Sequence, residues 1–243
     1  MRKFDKKFPF PAPSGPYKVE VASGDWKPFK AARLQISMNN PKHAGEKFFA
    51  QAEWAAARFD KVQLIVSDTL HRYNIMGSHS VDDKTAHDLA LQIGNDWISD
   101  NATAIALLPN HEITRWDDWL THQNFVTAHG QVLDCYAKDS TFAAEVERTV
   151  SNFMLRKADM PIEKRETQIR LSRAYLLEEL AAFALMQDSA PMIDVRPGSP
   201  LKPVLDLLKS GAIAGAPAGC EKLNSVVIDF TKNKAFHDKK IQD

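Results

Sequence analysis

Three residues in this 243-residue chain combine a reactive side chain with an informative position: Ser37, Tyr175 and Glu179. Ser37 closes an alternating stretch in "RLQISMNNP" (33–41), and Met38-Asn39-Asn40-Pro41 behind it cannot continue a central strand. A serine there has two readings. It can be a turn former or the N-cap of the next helix, the simpler reading from residue type alone. It can also face a crevice, because parallel α/β sheets bind ligands at the carboxyl ends of their strands.

Tyr175 and Glu179 lie one helical turn apart in "SRAYLLEELAAFALM" (172–186). At about 100° per residue the apolar stripe centres on Leu176, Leu180 and Phe183. Glu179 then falls about 60° from Leu176, on the shoulder of the buried face, with Tyr175 on its flank. Glu178 is predicted to point nearly the opposite way. An inward carboxylate needs a reason, because burying it unpaired is costly. Either a cation such as Arg173 or Arg33 pairs with it, or a site uses it to hold a cation or move a proton.

Other groups offer less. Asp83 and His87 stand at i, i+4 but have no third metal ligand, and a capping turn explains them better. His111, His122 and His129 are scattered. Trp54, Trp97, Trp116 and Trp119 read as core or core-edge packing. The sequence has no GxGxxG, no Walker loop and no GxSxG elbow.

The elements that must position these residues follow from hydrophobic patterning. Strands are predicted at 17–22, 32–37, 61–68, 103–109, near 192–196 and at 225–231. Helices are predicted at 43–59, from a capping box of Ser80 and Asp83 to about Asp100, at about 116–136 and 139–157, from Pro161 to about Gln187, and near 201–209. Alternating strands and helices imply an α/β fold with right-handed crossovers. The expected architecture is a Rossmann-like three-layer fold, a mostly parallel central sheet flanked by helices. Ser37, Ser67-Asp68 and Pro109-Asn110 are each predicted to sit at a carboxyl strand end.

Composition bounds the rest. A length of 243 residues with 44% hydrophobic content suits a single catalytic domain over 1–243, with a Pro-rich flexible arm at 1–16 and a basic tail at 232–243. A formal net charge of zero argues against tight nonspecific DNA binding. Cys135 and Cys220, the only cysteines, are too few for a disulfide framework or a zinc ribbon. With no secretory signal and no apolar run of membrane-span length, a cytoplasmic setting without a membrane is expected.

Two stretches together resemble the cyclodipeptide synthase family. One is "LQISMNN", a strand running into a serine and a polar turn; the other is "YLLEELAAF", close to the family's Tyr-x-x-x-Glu segment. The separation of Ser37 from Tyr175 is near the family's usual one, and "WAAARFDKVQLIVSDTLHRYN" between them is similar too. The likeness spans roughly residues 30 to 230.

The resemblance implies a fold similar to the catalytic domain of class Ic aminoacyl-tRNA synthetases. It also implies an aminoacyltransferase whose partners are two aminoacyl-tRNAs, and whose product is a 2,5-diketopiperazine. The amino acids arrive as activated esters, so no ATP, metal or other cofactor is expected. Ser37 would carry the first aminoacyl group. Tyr175 and Glu179 would orient it, Glu179 pairing with its ammonium and helping to remove the proton, and Tyr175 assisting proton transfer during cyclisation. Such an ester is reactive enough for a serine without a Ser–His–Asp triad.

The same resemblance marks Gln35, Asn40 and Arg196 as substrate-binding positions. Gln35 and Ala31 stand where better-known members carry Gly and His. Gln35 either offers its amide to the reacting carbonyl or fills space. Asn40 matches one subfamily. Arg196, in Val195-Arg196-Pro197, stands where the family has Tyr. Helix 81–100 is not basic, whereas in some members the comparable helix grips tRNA. A basic group, Arg156, Lys157, Lys164, Arg165 and Arg170, can serve instead, or it is a solvated face interspersed with Asp159, Glu163 and Glu166. A monomer is expected. Two other readings stay open: a serine acyltransferase or esterase acting on small acyl esters, and a non-catalytic binding domain.

Overall fold

β2 (Ala31–Ser37) and β3 (Lys61–Ser67) run parallel in continuous register, from Ala31 opposite Lys61 to Ser37 opposite Ser67. They sit inside a six-stranded sheet of order β1-β6-β5-β2-β3-β4. The other strands are β1 (Tyr17–Ser23), β4 (Glu112–Arg115), β5 (Ile193–Pro197) and β6 (Ser225–Lys232). Only β1 is antiparallel to its neighbour. This computed structural model describes residues 14–156, 160–190, 192–198, 200–234 and 236.

The chain leaves β2 toward β3 on one side, and leaves β5 toward β6 on the other. The strand order therefore reverses between β2 and β5, which is where open α/β sheets form their ligand crevice. Ser37 and Arg196 lie at the carboxyl ends of these two strands.

Helices cover both faces, as a Rossmann-like sheet of parallel strands requires. They are α1 (Gly45–Ala56), α2 (Arg72–His79), α3 (Asp83–Asp100), α4 (Ala102–Ile105), α5 (Trp116–Leu120), α6 (Phe125–Lys138), α7 (Ser140–Leu155), α8 (Ile162–Ser189) and α9 (Lys202–Lys209). On one face Ala32, Leu34, Ile36, Val62, Leu64, Val66, Ile193, Val195, Val226 and Ile228 pack in a core with Phe48, Trp54 and Trp97. The opposite face looks toward α8 and a second core built from α6, α7, α8 and α9. Among the described residues no helix is long and apolar enough to cross a membrane.

Of the expected arm and tail, residues 14–16 and 232–233 belong to the folded body. Ser14 donates to Glu53, and Asn233 bonds the carbonyls of Gly15 and Pro16. Residues 1–13, Lys157 and 237–243 lie outside the described residues.

Four local readings change. The predicted strand at 103–109 is instead the short helix α4 and a turn, with Ala106 N–H bonding Ala102 O at 2.9 Å. Ala104, Ile105 and Leu108 are buried while Leu107 is 40% exposed, a helical spacing that a short apolar run cannot advertise. The strand is the polar edge segment Glu112–Arg115, so Pro109-Asn110 precedes a strand and does not end one. The predicted helix 116–136 is broken at 121–124, where His122 N–H bonds Trp119 O and Phe125 N–H bonds His122 O. Asp82, not Ser80, caps α3, accepting from Thr85 N–H at 2.7 Å; Ser80 closes α2 in a left-handed turn.

The fourth is Glu178. Predicted to face away from the core, it is 3% exposed. Every residue from Leu176 to Gln187 is buried, because the second half of α8 runs through the interior and has no solvent side. Glu178 is satisfied by Arg72 at 2.5 and 3.0 Å, by the Tyr73 hydroxyl at 2.8 Å and by the Trp116 indole at 2.9 Å.

This ion pair ties α2 to α8, and removing one partner strands a buried charge. Glu178→Gln is expected to lower unfolding free energy by about 3 kcal/mol in urea denaturation. A change within error of zero would show that Arg72 finds another anion or water.

Candidate active site

The alternation of β2 sends Arg33, Gln35 and Ser37 to the face under α8, since Ala32, Leu34 and Ile36 fill the opposite core. Register brings Gln63 and Ser67 of β3 beside Arg33 and Ser37, and Asp194 of β5 beside Arg33. α8 lays Tyr175, Glu179 and Phe183 across this face at i, i+4 and i+8.

The parts meet. The Ser37 side chain lies close enough to the Tyr175 phenol to ease its ionisation slightly. Glu179 Oε1 accepts from Gln35 Nε2 at 2.9 Å, and that amide also lies 3.4 Å from Ser67 Oγ. Gln35 Oε1 accepts from Arg196 Nη1 at 3.3 Å. Arg196 stacks 4.2 Å from the Phe183 ring centre and donates to Asp194 Oδ2 at 3.0 Å. Asp194 Oδ1 in turn takes Arg33 Nη1 at 3.4 Å. Arg33 finishes the string on Gln63 at 3.0 Å and on the carbonyls of Met186 and Ala190 near the end of α8.

Burial sets the proton affinities. Glu179 is 4% exposed, and desolvation pushes its carboxyl up to about 7, although Arg196 and the Gln35 amide pull the other way. Tyr175 is raised well above 10 by burial and then by the Glu179 charge, so it is a phenol at neutral pH. A carboxyl poised near neutrality is suited to taking a proton and giving it back. Its Oε2 accepts no donor among the described residues.

Neither cation considered at first for Glu179 pairs with it: Arg173 grips Glu147 at 2.5 and 2.9 Å, and Arg33 takes Asp194. Asn40 turns back on its own loop, its Oδ1 accepting from Lys42 N–H at 3.0 Å. Arg156 stacks on Phe153, and Arg165 Nε donates to Met160 O at 3.2 Å. Lys164 and Arg165 lie on the first turn of α8, about 15 Å along its axis from Tyr175. Sequence reasoning placed Ser67 at a carboxyl strand end without giving it a part in the site, and it missed Asp194 and His43. Ser67 and Asp194 announce themselves only as polar residues alternating in buried strands; His43, which accepts the Ser37 backbone N–H at 2.7 Å, has no such signal.

A cavity of about 470 Å³ opens elsewhere, between α9 and the starts of β5 and β6. Asp194 and Arg196 stand in its wall, while Ser37, Tyr175 and Glu179 do not.

A family model described as cyclodipeptide synthase matches residues 29–196. No curated protein matches the chain. Among solved structures, a cyclodipeptide synthase from Fluoribacter dumoffii superposes with a TM-score of 0.79 at 22% identity, covering 89% of this chain and 100% of that one. One from Candidatus Glomeribacter gigasporarum, bound to Phe-tRNAPhe, gives 0.63 at 20% identity over 84% and 88%. A Mycobacterium tuberculosis protein, described as showing that these synthetases are related to type I tRNA synthetases, gives 0.66 at 13% identity over 96% and 100%. At these identities the superpositions establish a shared fold.

The raised carboxyl of Glu179 makes stability depend on pH. A folded value of about 7 above an ordinary 4.5 favours the fold fully below 4.5, and that advantage is lost as pH rises through 7. Glu179→Gln removes the titration. Its stability relative to wild type is expected to improve by about 3 kcal/mol between pH 4 and pH 8, measured by urea denaturation. A gap independent of pH would show that Glu179 titrates as an ordinary carboxyl.

Proposed function

The chain belongs to the cyclodipeptide synthase family, and from that premise we propose that it joins two aminoacyl groups, delivered by two aminoacyl-tRNAs, through an aminoacyl ester on Ser37. The observation that carries this reading is the meeting of the Ser37 hydroxyl, the Tyr175 phenol and the Glu179 carboxylate at the strand-order reversal.

In the first step Ser37 Oγ attacks the ester carbonyl of the first aminoacyl-tRNA. A serine ester forms, and the tRNA departs with its ribose hydroxyl restored by the proton that Ser37 gives up. The open oxygen of Glu179 holds the ammonium of the bound aminoacyl group and accepts a proton from it. The freed amine attacks the ester of the second aminoacyl-tRNA, whose ribose oxygen leaves with the amine's second proton, and a dipeptidyl ester remains on Ser37. The new terminal amine then attacks that ester, closes the six-membered ring and releases the serine. Tyr175, a phenol near Ser37, gives its proton to the departing serine oxygen and regains one from the ring-closing amine.

Gln35 and Arg196 support these steps by orienting Glu179, and Asn40 shapes the loop behind Ser37. The acceptor arms of tRNA approach along the basic start of α8, marked by Lys164 and Arg165, with Arg156 at the end of α7 and Lys157 next to it in sequence completing the basic group. Glu163 and Glu166 in the same stretch are the counter-reading, a merely solvated face.

Expressed in bacteria, the protein is expected to release a diketopiperazine into the medium, detectable by mass spectrometry. Ser37→Ala should abolish it, and intact wild-type protein given charged tRNA should gain the mass of one aminoacyl group on Ser37. Undiminished product from Ser37→Ala would sink the covalent step. Product formation that survives ribonuclease would instead favour an acyltransferase acting on small esters. Because the amine must lose its proton to Glu179, single-turnover rates should rise with pH through about 7 and flatten above.

A further inference from the structure

We infer that His43, braced by Trp97, is a positioning residue that fixes the Ser37 backbone so that the hydroxyl stays turned toward Tyr175. The inference rests on Ser37 being the nucleophile.

The pairing of β5 with β2 ends at Leu34 opposite Val195, three residues short of Ser37. β2 runs on with β3 alone, so at its tip one row of backbone groups has lost its strand partner. The imidazole of His43 supplies one: its Nδ1 accepts the Ser37 N–H at 2.7 Å. A ring nitrogen that accepts carries no proton, which assigns the proton to Nε2. The ring is 6% exposed, and burial together with the neighbouring Lys42 charge lowers its proton affinity to about 4. His43 therefore stays neutral and accepting at every pH at which the enzyme would work. It is not a base for the serine hydroxyl, because its one free lone pair is spent on the backbone.

The backbone that carries this ring is itself held. The His43 carbonyl accepts the Trp97 indole N–H at 2.7 Å, and its N–H closes a turn on Asn40 O at 2.8 Å. Trp97 is 8% exposed and packs against Phe48 with ring centres 4.8 Å apart. One turn on, Asn101 bonds the Trp97 carbonyl at 2.8 Å and takes the Gly45 N–H at 3.1 Å. The end of α3 thus clamps the loop 38–44 near its far end, and the imidazole clamps its start. Without this strut the loop, which includes Asn39 in a left-handed conformation, would be free to carry Ser37 with it. Misplacing a nucleophile by an ångström is enough to cost orders of magnitude in rate.

The test uses three variants of the full chain and two readouts: thermal unfolding, and single-turnover acylation by charged tRNA. His43→Leu keeps bulk and removes the acceptor. His43→Asn keeps an acceptor near the Nδ1 position. Trp97→Phe keeps the ring and removes the donor. At saturating aminoacyl-tRNA, His43→Leu is expected to acylate at least about tenfold more slowly, with KM changed by less than about twofold, and His43→Asn to recover most of the loss.

Acylation by a folded His43→Leu at the wild-type rate overturns the inference. So does a His43→Asn as slow as His43→Leu, since the acceptor would then not matter. If His43→Leu fails to fold, Trp97→Phe decides: a slowed acylation with KM preserved supports the strut, and an unchanged rate overturns it. Ser37→Ala, run alongside, separates the two readings. Full activity there removes the nucleophile itself, whereas an inactive Ser37→Ala beside a normal His43→Leu removes only the strut.

Discussion

A carboxylate held between a long helix and a parallel sheet is the constraint that organises this molecule. Glu179 lies on the inner face of α8 with almost no water around it. An ionised group in that position costs several kcal/mol unless polar partners surround it. The sheet supplies them: Gln35, Ser67, Asp194 and Arg196, on the face opposite the apolar core, line up beneath the helix. One face of the sheet therefore holds the fold together, and the other gives up apolar burial to host a polar string. The cost of that exchange is met by the continuous core on the far side and by the second core around α6, α7 and α9.

Neighbouring glutamates on α8 show how differently one helix can treat the same side chain. Glu178 is surrounded by Arg72, Tyr73 and Trp116, so both of its oxygens are engaged and the charge is structural. Glu179 has one oxygen on an amide and one left open. An under-partnered carboxylate is a liability to stability and the kind of group that functional sites retain. The contrast lies in the surroundings and not in the residue type.

This explains what the sequence discloses and what it hides. The strand ending at Ser37, the helix bearing Tyr175 and Glu179, and the α/β layering were legible, because each rests on a local period or a local stop. Glu178 was misread because a stripe computed from one helix assumes a solvent face, and α8 has none over its second half. The stretch 103–109 was misread because the five apolar residues 104–108 satisfy a helix and a strand equally. The partners of Glu179 were out of reach for a deeper reason. Gln35 and Arg196 are 161 residues apart and meet only because β2 and β5 lie side by side in the sheet.

That meeting also accounts for why an amide stands between the arginine and the glutamate. The Gln35 oxygen must face the guanidinium and its nitrogen the carboxylate, since the reverse orientation would set donor against donor and acceptor against acceptor. A direct Arg196–Glu179 pair would occupy both carboxylate oxygens and hold the acid far below neutrality, leaving it unable to accept a proton from an ammonium. With Gln35 interposed, Arg196 still attracts negative charge to Glu179 but does not neutralise it. Asp194 holds the far side of the same guanidinium, and Phe183 covers its face. The arginine is thereby kept from swinging across to the glutamate. Gln35 is thereby the spacer that lets a buried arginine and a buried carboxylate coexist.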